Sequence, residues 1–86
     1  MFTGIVTDIG ELVGVTGVVE RELVIKTGYV AASIKTGSSI ACAGVCLTVT
    51  ETGADWFGVL TSKETIRKTT IAGWEVGSLV NLERAL

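Results

Sequence analysis

The sequence predicts an all-β fold, a small closed or nearly closed barrel, and three observations support this prediction. Short runs rich in valine, isoleucine, leucine and threonine recur along the whole chain, as β-strands do. Eleven glycines interrupt or separate these runs, with a turn signal between most of them. The chain has 86 residues, of which 48% are hydrophobic, so it forms one domain with a modest core. Six short strands in a domain of this size favour a barrel.

Six segments have the composition of strands. The first begins at the second residue and contains Gly4, Gly10 and Gly14, which predict the bulges or sharp bends that a small barrel requires. The second segment alternates, with Leu23 and Ile25 on one face. The predicted strands are Phe2–Val15, Glu20–Thr27, Ser39–Ala41, Cys46–Glu51, Trp56–Leu60 and Val80–Leu82.

Turn and helix signals fall between these segments. Thr36–Ser38 is a predicted turn, Gly44 joins the third and fourth strands, and Thr52–Asp55 is a predicted hairpin connection. Tyr29–Ile34 has the apolar spacing of a short helical turn. Ser62–Arg67 begins with an N-cap serine followed by helix formers, so a second short helix is predicted there.

Composition excludes several classes of function. The chain carries 7 basic and 9 acidic residues, so no basic surface for nucleic acid is expected. It contains no histidine, which excludes Ser-His-Asp and Cys-His catalysis, and its two cysteines are too few for a zinc site. Neither a G-x-G-x-x-G fingerprint nor a P-loop occurs.

The sequence contains no recognisable export or membrane segment. The opening MFTGIV lacks the positive region of a secretory signal, and glycines break the long, almost uncharged stretch Thr27–Ala54. Cys42 and Cys46 are four residues apart, which along one strand is about 13 Å and too far for a disulfide. We therefore expect a cytoplasmic protein with reduced thiols and no contact with a membrane.

The chain is unusually apolar for its size. Its mean hydropathy is +0.58, and so short a chain cannot bury every apolar side chain in its own core. Surplus apolar surface is typical of proteins that bind a partner or a ligand. The sequence therefore predicts self-association or docking on another domain.

Polar groups that could form a site cluster in two stretches. The first comprises Ser39 and the run Cys46–Thr48, and the second is Thr61–Thr65. Each also has an ordinary structural explanation: serines and threonines form strands and caps, and a cysteine is often a small buried hydrophobe. Lys63 and Glu64 are typical of a solvated helix face. From the residues alone, the ligand of this barrel stays unidentified.

Four segments in register give the chain a family resemblance. They are MFTGIV at the start, GSSIACAGVCLTVT in the middle, KETIRKTT later and VGSLVNLERAL at the end. Together they resemble the amino-terminal lumazine-binding domain of riboflavin synthase of the alpha-chain type, and they extend over the whole chain. A related barrel occurs in lumazine proteins.

The resemblance implies a six-stranded Greek-key barrel, the first of two in tandem. It also implies that the full enzyme moves a four-carbon unit between two molecules of 6,7-dimethyl-8-ribityllumazine, giving riboflavin and a ribitylamino-pyrimidinedione without a metal or organic cofactor. Family members form trimers, in which the first barrel of one subunit faces the second barrel of a neighbour. An isolated first barrel is expected to form a two-fold dimer.

The resemblance also implies the site residues. Ser39, Cys46 and Thr48 are the candidate catalytic residues, and Phe2 would support the site by packing. The substrate-binding residues would be Gly4, Ile5, Val6, Cys46, Leu47, Thr48, Leu60, Thr61, Ser62, Lys63, Glu64 and Thr65. There, backbone groups, hydroxyls and a helix N-terminus would bind a pteridine-like edge or a ribityl chain.

Two departures from the family pattern leave alternatives open. Leu60 stands where many relatives carry an acidic or amide residue, and the sequence ends at Leu86, without the linker, the second barrel or the histidine that follows the first barrel. The chain is therefore an excised domain, which we favour, or a natural single-barrel relative. A non-catalytic lumazine- or flavin-binding protein and a simple interaction module are the alternative functions.

Overall fold

Six antiparallel strands form a closed barrel in the computed structural model, which describes residues 4–17, 20–29, 33–62, 65 and 73–85. The strands are β1 (Asp8–Thr16), β2 (Arg21–Lys26), β3 (Ser39–Cys42), β4 (Val45–Thr52), β5 (Trp56–Thr61) and β6 (Leu79–Arg84). All six predicted strands are therefore confirmed, and most of their bounds agree to within two residues.

The order of strands around the barrel is β1-β2-β5-β4-β3-β6, with β6 returning to pair with β1. Strands β3, β4 and β5 are joined as successive hairpins, and β2 lies beside β5 while β6 lies beside β3. A strand that returns beside a three-stranded meander is the Greek-key arrangement. The predicted fold class, an all-β Greek-key barrel, is confirmed.

The barrel is filled by its own side chains. Along β2, Leu23 and Ile25 are fully buried while Lys26 is exposed, which confirms the predicted alternation. Every other strand likewise turns apolar residues inward. The core cluster is Leu12, Leu23, Ile25, Ile34, Ile40, Cys42, Leu47, Val49, Phe57, Val59, Val80 and Leu82. Because the interior is packed with side chains, a ligand has to bind on the outside of the barrel.

The first strand begins later than its composition indicates. The prediction of a strand from Phe2 is wrong for residues 4–7, because β1 starts at Asp8. Asp8 pairs with Leu82 in the ladder between β1 and β6. Gly4 has φ +85°, a left-handed conformation that turns the chain out of the extended path. The segment 4–7 is therefore free to lie across the barrel surface instead of extending the sheet.

The interior glycines of β1 serve the closure of the barrel. The pairing with β2 shifts register between Leu12 and Gly14, which is the predicted bulge. A Cβ atom on Gly10 would lie 2.7 Å from Ile25 Cγ2 and 2.8 Å from Leu82 Cδ1. Since both contacts are shorter than van der Waals distance, only glycine lets the strands on either side approach this closely.

A two-residue turn connects β3 and β4. Ala43 and Gly44 both have positive φ, +51° and +83°, as the type I′ hairpin turn requires. The turns predicted at Thr36–Ser38 and Thr52–Asp55 are also present. Residues 30–32 of the predicted helical turn 29–34 lie outside the described residues. So do residues 63, 64, 66 and 67 of the predicted helix 62–67. No helix in the described part of the chain is long and apolar enough to cross a bilayer.

Side-chain hydrogen bonds tie the loop after β2 to the neighbouring strands. Asp8 Oδ2 accepts from Thr27 Oγ1 at 2.6 Å and from the Gly28 amide at 2.8 Å. Burial acts to raise the pKa of Asp8, but these hydrogen bonds and one from the Ile9 amide outweigh it and leave the pKa below its usual value. Arg84 lies over the Tyr29 ring, 5.4 Å from its centroid. The start of β1, this loop and the end of β6 are thus held together.

Candidate functional site

Three neighbouring strands present a mixed polar and apolar surface on the outside of the barrel. Ser39 on β3 is paired with Thr48 on β4, so their side chains share one face. Cys46 and Thr48 are exposed on the outer face of β4, and Leu60 on β5 leaves 48% of its surface exposed. These four residues, Ser39, Cys46, Thr48 and Leu60, are called the outer-face cluster below.

Two residues of the predicted site turn their side chains away from this cluster. Leu47 belongs to the core, and Thr61 is 1% exposed, with Oγ1 donating to the Arg21 carbonyl oxygen at 3.0 Å. The alternation of a strand places them on the inner face, between outward-facing neighbours.

The end of β5 continues into a serine cap. The Ser62 hydroxyl accepts from the Thr65 amide at 3.1 Å, and the two hydroxyl oxygens are 2.9 Å apart. In an N-cap, the cap hydroxyl accepts from the backbone amide three residues further along the chain, and Ser62 and Thr65 show this geometry. The predicted site residues Phe2, Lys63 and Glu64 lie outside the described residues.

The segment Gly4–Val6 lies over the outer side of β3 and β6. Together with the Ala43–Gly44 turn it borders a pocket of about 260 Å³. The pocket reaches Ala41, which is paired with Cys46 across the β3–β4 ladder. Its lining residues are Gly4, Val6, Ala41, Ala43, Gly44, Asn81, Leu82 and Glu83. The pocket beside the amino-terminal segment therefore adjoins the outer-face cluster at one ladder position, where Ala41 is paired with Cys46.

Glu83 is the charged residue among six lining residues that reasoning from the sequence missed; the others are Ala41, Ala43, Gly44, Asn81 and Leu82. Both carboxylate oxygens accept a hydrogen bond from the Gly4 amide, at 3.1 and 3.2 Å. In the sequence, a glutamate at an outward strand position indicates a solvated residue. Strand alternation places Glu83 outward, between inward-facing Leu82 and half-buried Arg84. It does not predict the hydrogen bonds between the Glu83 carboxylate and the Gly4 amide.

The two cysteines occupy opposite faces of the β3–β4 hairpin. The distance of about 13 Å along one strand does not apply to them, because the chain reverses at Ala43–Gly44 and places Cys42 on β3 and Cys46 on β4. Cys42 is buried in the core and Cys46 is exposed, and both thiols are free. Cys46 is paired with Ala41, and Cys42, the next residue after Ala41, points to the opposite face of the hairpin. The prediction of unbridged cysteines is therefore confirmed, but for a different reason. Cys46 is therefore a surface thiol rather than a small buried hydrophobe.

Alkaline pH is expected to destabilise the fold through Cys42. Burial, with a smaller contribution from the charge of Cys46, raises the pKa of Cys42 to about 12, whereas a thiol in an unfolded chain has a pKa of about 8.5. Because the folded-state pKa is the higher one, the stabilisation is complete below about pH 8.5 and is lost as the pH rises toward 12. In that window the free energy of unfolding should fall by up to about 1.4 kcal/mol per pH unit.

Urea unfolding under reducing conditions between pH 8 and 11 measures this slope. Cys42→Ala should remove the thiol's share of it, and the matched variant Cys46→Ala should keep the slope of the wild type. Equal slopes in all three proteins would show that Cys42 does not cause the alkaline destabilisation.

A second exposed apolar patch lies away from the outer-face cluster. Ile9 and Leu79 point outward from the paired strands β1 and β6, and Leu79 is 73% exposed. The two exposed regions agree with the predicted surplus of apolar surface.

Within the described residues, no three His, Cys, Asp or Glu side chains are grouped to hold a metal ion.

The fold and the surface together define a Greek-key barrel with a filled interior, whose candidate binding site is an outer face of hydroxyl, thiol and apolar groups. Residues 3–85 match the family model described as the lumazine binding domain. The chain therefore belongs to the lumazine-binding-domain family.

Curated relatives of this chain are named riboflavin synthase. The protein of Brucella abortus is 47% identical over 92 aligned residues, which include all of this chain and 46% of the relative. The protein of Bacillus amyloliquefaciens is 41% identical over 88 residues, with 100% of this chain and 40% of the relative covered. The protein of Mycobacterium tuberculosis is 41% identical over 87 residues, with 99% of this chain and 43% of the relative covered. The chain thus spans less than half the length of these relatives.

Proposed function

We propose that this barrel binds 6,7-dimethyl-8-ribityllumazine and riboflavin on its outer face and serves as the amino-terminal half of a riboflavin synthase. The observation that carries the proposal is the outer-face cluster itself, which brings the candidate residues Ser39, Cys46, Thr48 and Leu60 onto one surface. Membership of the lumazine-binding-domain family supports the same ligand class.

The chemistry of the outer face suits a flat heterocycle with a polyol chain. Leu60 and the half-exposed Val6 offer apolar area for a ring, and the hydroxyls of Ser39, Thr48 and Ser62 offer hydrogen bonds to its polar edge and to a ribityl chain. An exposed face covers only one side of such a ring. A second barrel placed opposite would cover the other side and exclude water from the site.

The proposed reaction is a dismutation of two lumazines. One molecule gives a four-carbon unit and the other receives it, so the products are riboflavin and a ribitylamino-pyrimidinedione, and the two substrates supply all the atoms of both. Loss of a proton from the 7-methyl group leaves a charge that spreads into the ring. Fixed hydrogen-bond donors at the ring edge would stabilise this charge, and the stacking of the two rings would bring the reacting carbons together. The reaction requires no metal or organic cofactor in this scheme.

The proposed partners follow from the shape of the site. In the full-length protein the outer face would meet the second barrel of a neighbouring subunit in a trimer. In the isolated domain, the apolar residues Ile5, Val6 and Leu60 are exposed, and the proposed ligand face would be their common surface. We propose that two copies pair through it as a two-fold dimer, since a self-complementary patch closes most simply in that way.

Riboflavin titration tests the proposed site. The wild-type chain should quench or shift flavin fluorescence, and Thr48→Arg should weaken binding at least about tenfold, because a long charged side chain would occupy the outer-face cluster. Thr16→Arg is the matched control, since Thr16 is also an exposed strand threonine but lies on β1. Absence of any signal from the wild type at millimolar riboflavin or lumazine would contradict the proposed function, and equal affinities of the two variants would contradict the proposed location.

A further inference from the structure

Glu83 occupies a position where a charged side chain would normally be solvated. It is paired with Ala41 across the β3–β6 ladder and lies one residue from inward-facing Leu82, so its side chain points to the outside of the barrel. Even so, only 8% of its surface is exposed. A carboxylate is rarely buried unless hydrogen bonds compensate for the lost water.

The amino-terminal segment supplies hydrogen bonds that compensate for this burial. The Gly4 amide donates to both Glu83 oxygens, and three residues later the Thr7 amide donates to the Leu82 carbonyl oxygen at 2.9 Å. These hydrogen bonds attach both ends of the segment 4–7 to β6. Between them, Ile5 and Val6 keep 65% and 49% of their surface exposed, so packing of their side chains holds the segment weakly. The charged hydrogen bond is the stronger attachment at its outer end.

We propose that Glu83 is a positioning residue for the ligand site: its carboxylate holds Gly4–Val6 beside the outer-face cluster and keeps the adjoining pocket of about 260 Å³ in shape. This inference rests on the proposed function, because it names the residue that sets the geometry of that same site. Glu83 acts through Gly4 and does not itself contact the rings. The pocket is small, so it would receive only one part of the ligand, next to Ala41 and Cys46.

Three variants separate this role from a merely structural one. Glu83→Ala removes the acceptor, and Glu83→Gln keeps the volume and one carbonyl acceptor but loses the charge. Glu11→Ala is the matched control, since Glu11 is an exposed glutamate on the outer side of β1. For each protein, NMR hydrogen exchange of the Gly4 amide reports the anchor, riboflavin titration reports the site, and thermal unfolding reports the fold.

Glu83→Ala should speed exchange of the Gly4 amide and weaken riboflavin binding about tenfold, because hydrogen bonds to charged groups are the stronger ones. Exchange of the core amides should stay protected. Glu83→Gln should restore part of the affinity, and Glu11→Ala should match the wild type. If Glu83→Ala fails to fold, the smaller loss in Glu83→Gln carries the same comparison.

The possible failures are distinguishable. A wild-type chain that binds no riboflavin would overturn the proposed function and the positioning role with it. Wild-type affinity in a folded Glu83→Ala or Glu83→Gln protein with a loosened Gly4 amide would overturn the positioning role alone. Unchanged Gly4 exchange in Glu83→Ala would show that Glu83 is not the anchor.

Discussion

Leu82→Ala is expected to lower the free energy of unfolding by about 3 kcal/mol, whereas Leu79→Ala should change it by less than about 0.5 kcal/mol. Both leucines lie on β6, three residues apart, but Leu82 is 0% exposed and Leu79 is 73% exposed. Truncation of Leu82 removes buried apolar surface and leaves a cavity in a core that the fold cannot easily collapse. Truncation of Leu79 removes surface that already faces water.

The size of this domain makes the first effect large. Small domains have only a few kcal/mol of stability, so Leu82→Ala should leave a substantial unfolded fraction at 37 °C. Urea denaturation followed by circular dichroism measures both variants at a common protein concentration, since self-association would add to the apparent stability. Similar losses in the two variants would mean that Leu79 is covered in solution, by a second copy or another surface.

The isolated barrel is expected to form riboflavin from lumazine at least about a hundredfold more slowly than a two-barrel riboflavin synthase. The proposed reaction needs two lumazines in unlike roles, one as donor and one as acceptor of four carbons. Two copies of one barrel offer two equal sites, and nothing in that symmetry brings their ligands face to face. A misplacement of reacting atoms by about 1 Å costs on the order of a hundredfold in rate.

Riboflavin fluorescence, followed during incubation of the chain with lumazine, measures this rate. Boiled protein gives the uncatalysed background, and the riboflavin synthase of Brucella abortus, of which this chain covers 46%, is the full-length reference. A rate comparable to the reference would mean that one kind of barrel can serve as both donor and acceptor site. Binding without such turnover is the result that the proposal requires.

The candidate site was predicted in part. The resemblance located Ser39, Cys46 and Thr48, which the structure places on the outer face of the β3–β4 hairpin. The same run of residues also included Leu47, whose side chain lies in the core. A contiguous motif does not separate the two faces of a strand, whereas the alternation of buried and exposed positions does.

The sequence by itself determined the positions of the strands and turns. Period-two alternation in β2, glycine at the β3–β4 turn and the frequency of apolar runs are local signals, because they act through the backbone conformation of neighbouring residues. These signals were sufficient for an all-β barrel. They failed at residues 4–7, where the composition is that of a strand but no ladder continues.

Only the tertiary structure decided how these elements meet. The placement of β6 between β1 and β3 depends on closure of the whole sheet, and the close approach at Gly10 exists only once the barrel is closed. The anchor of the amino-terminal segment is the clearest case, since Gly4 and Glu83 are 79 residues apart in the chain. Neither residue carries a local signal for the other. Their hydrogen bond forms because folding brings the Gly4 amide, which belongs to no strand, against the Glu83 carboxylate. Little water reaches this carboxylate, so a hydrogen bond from the amide is favourable.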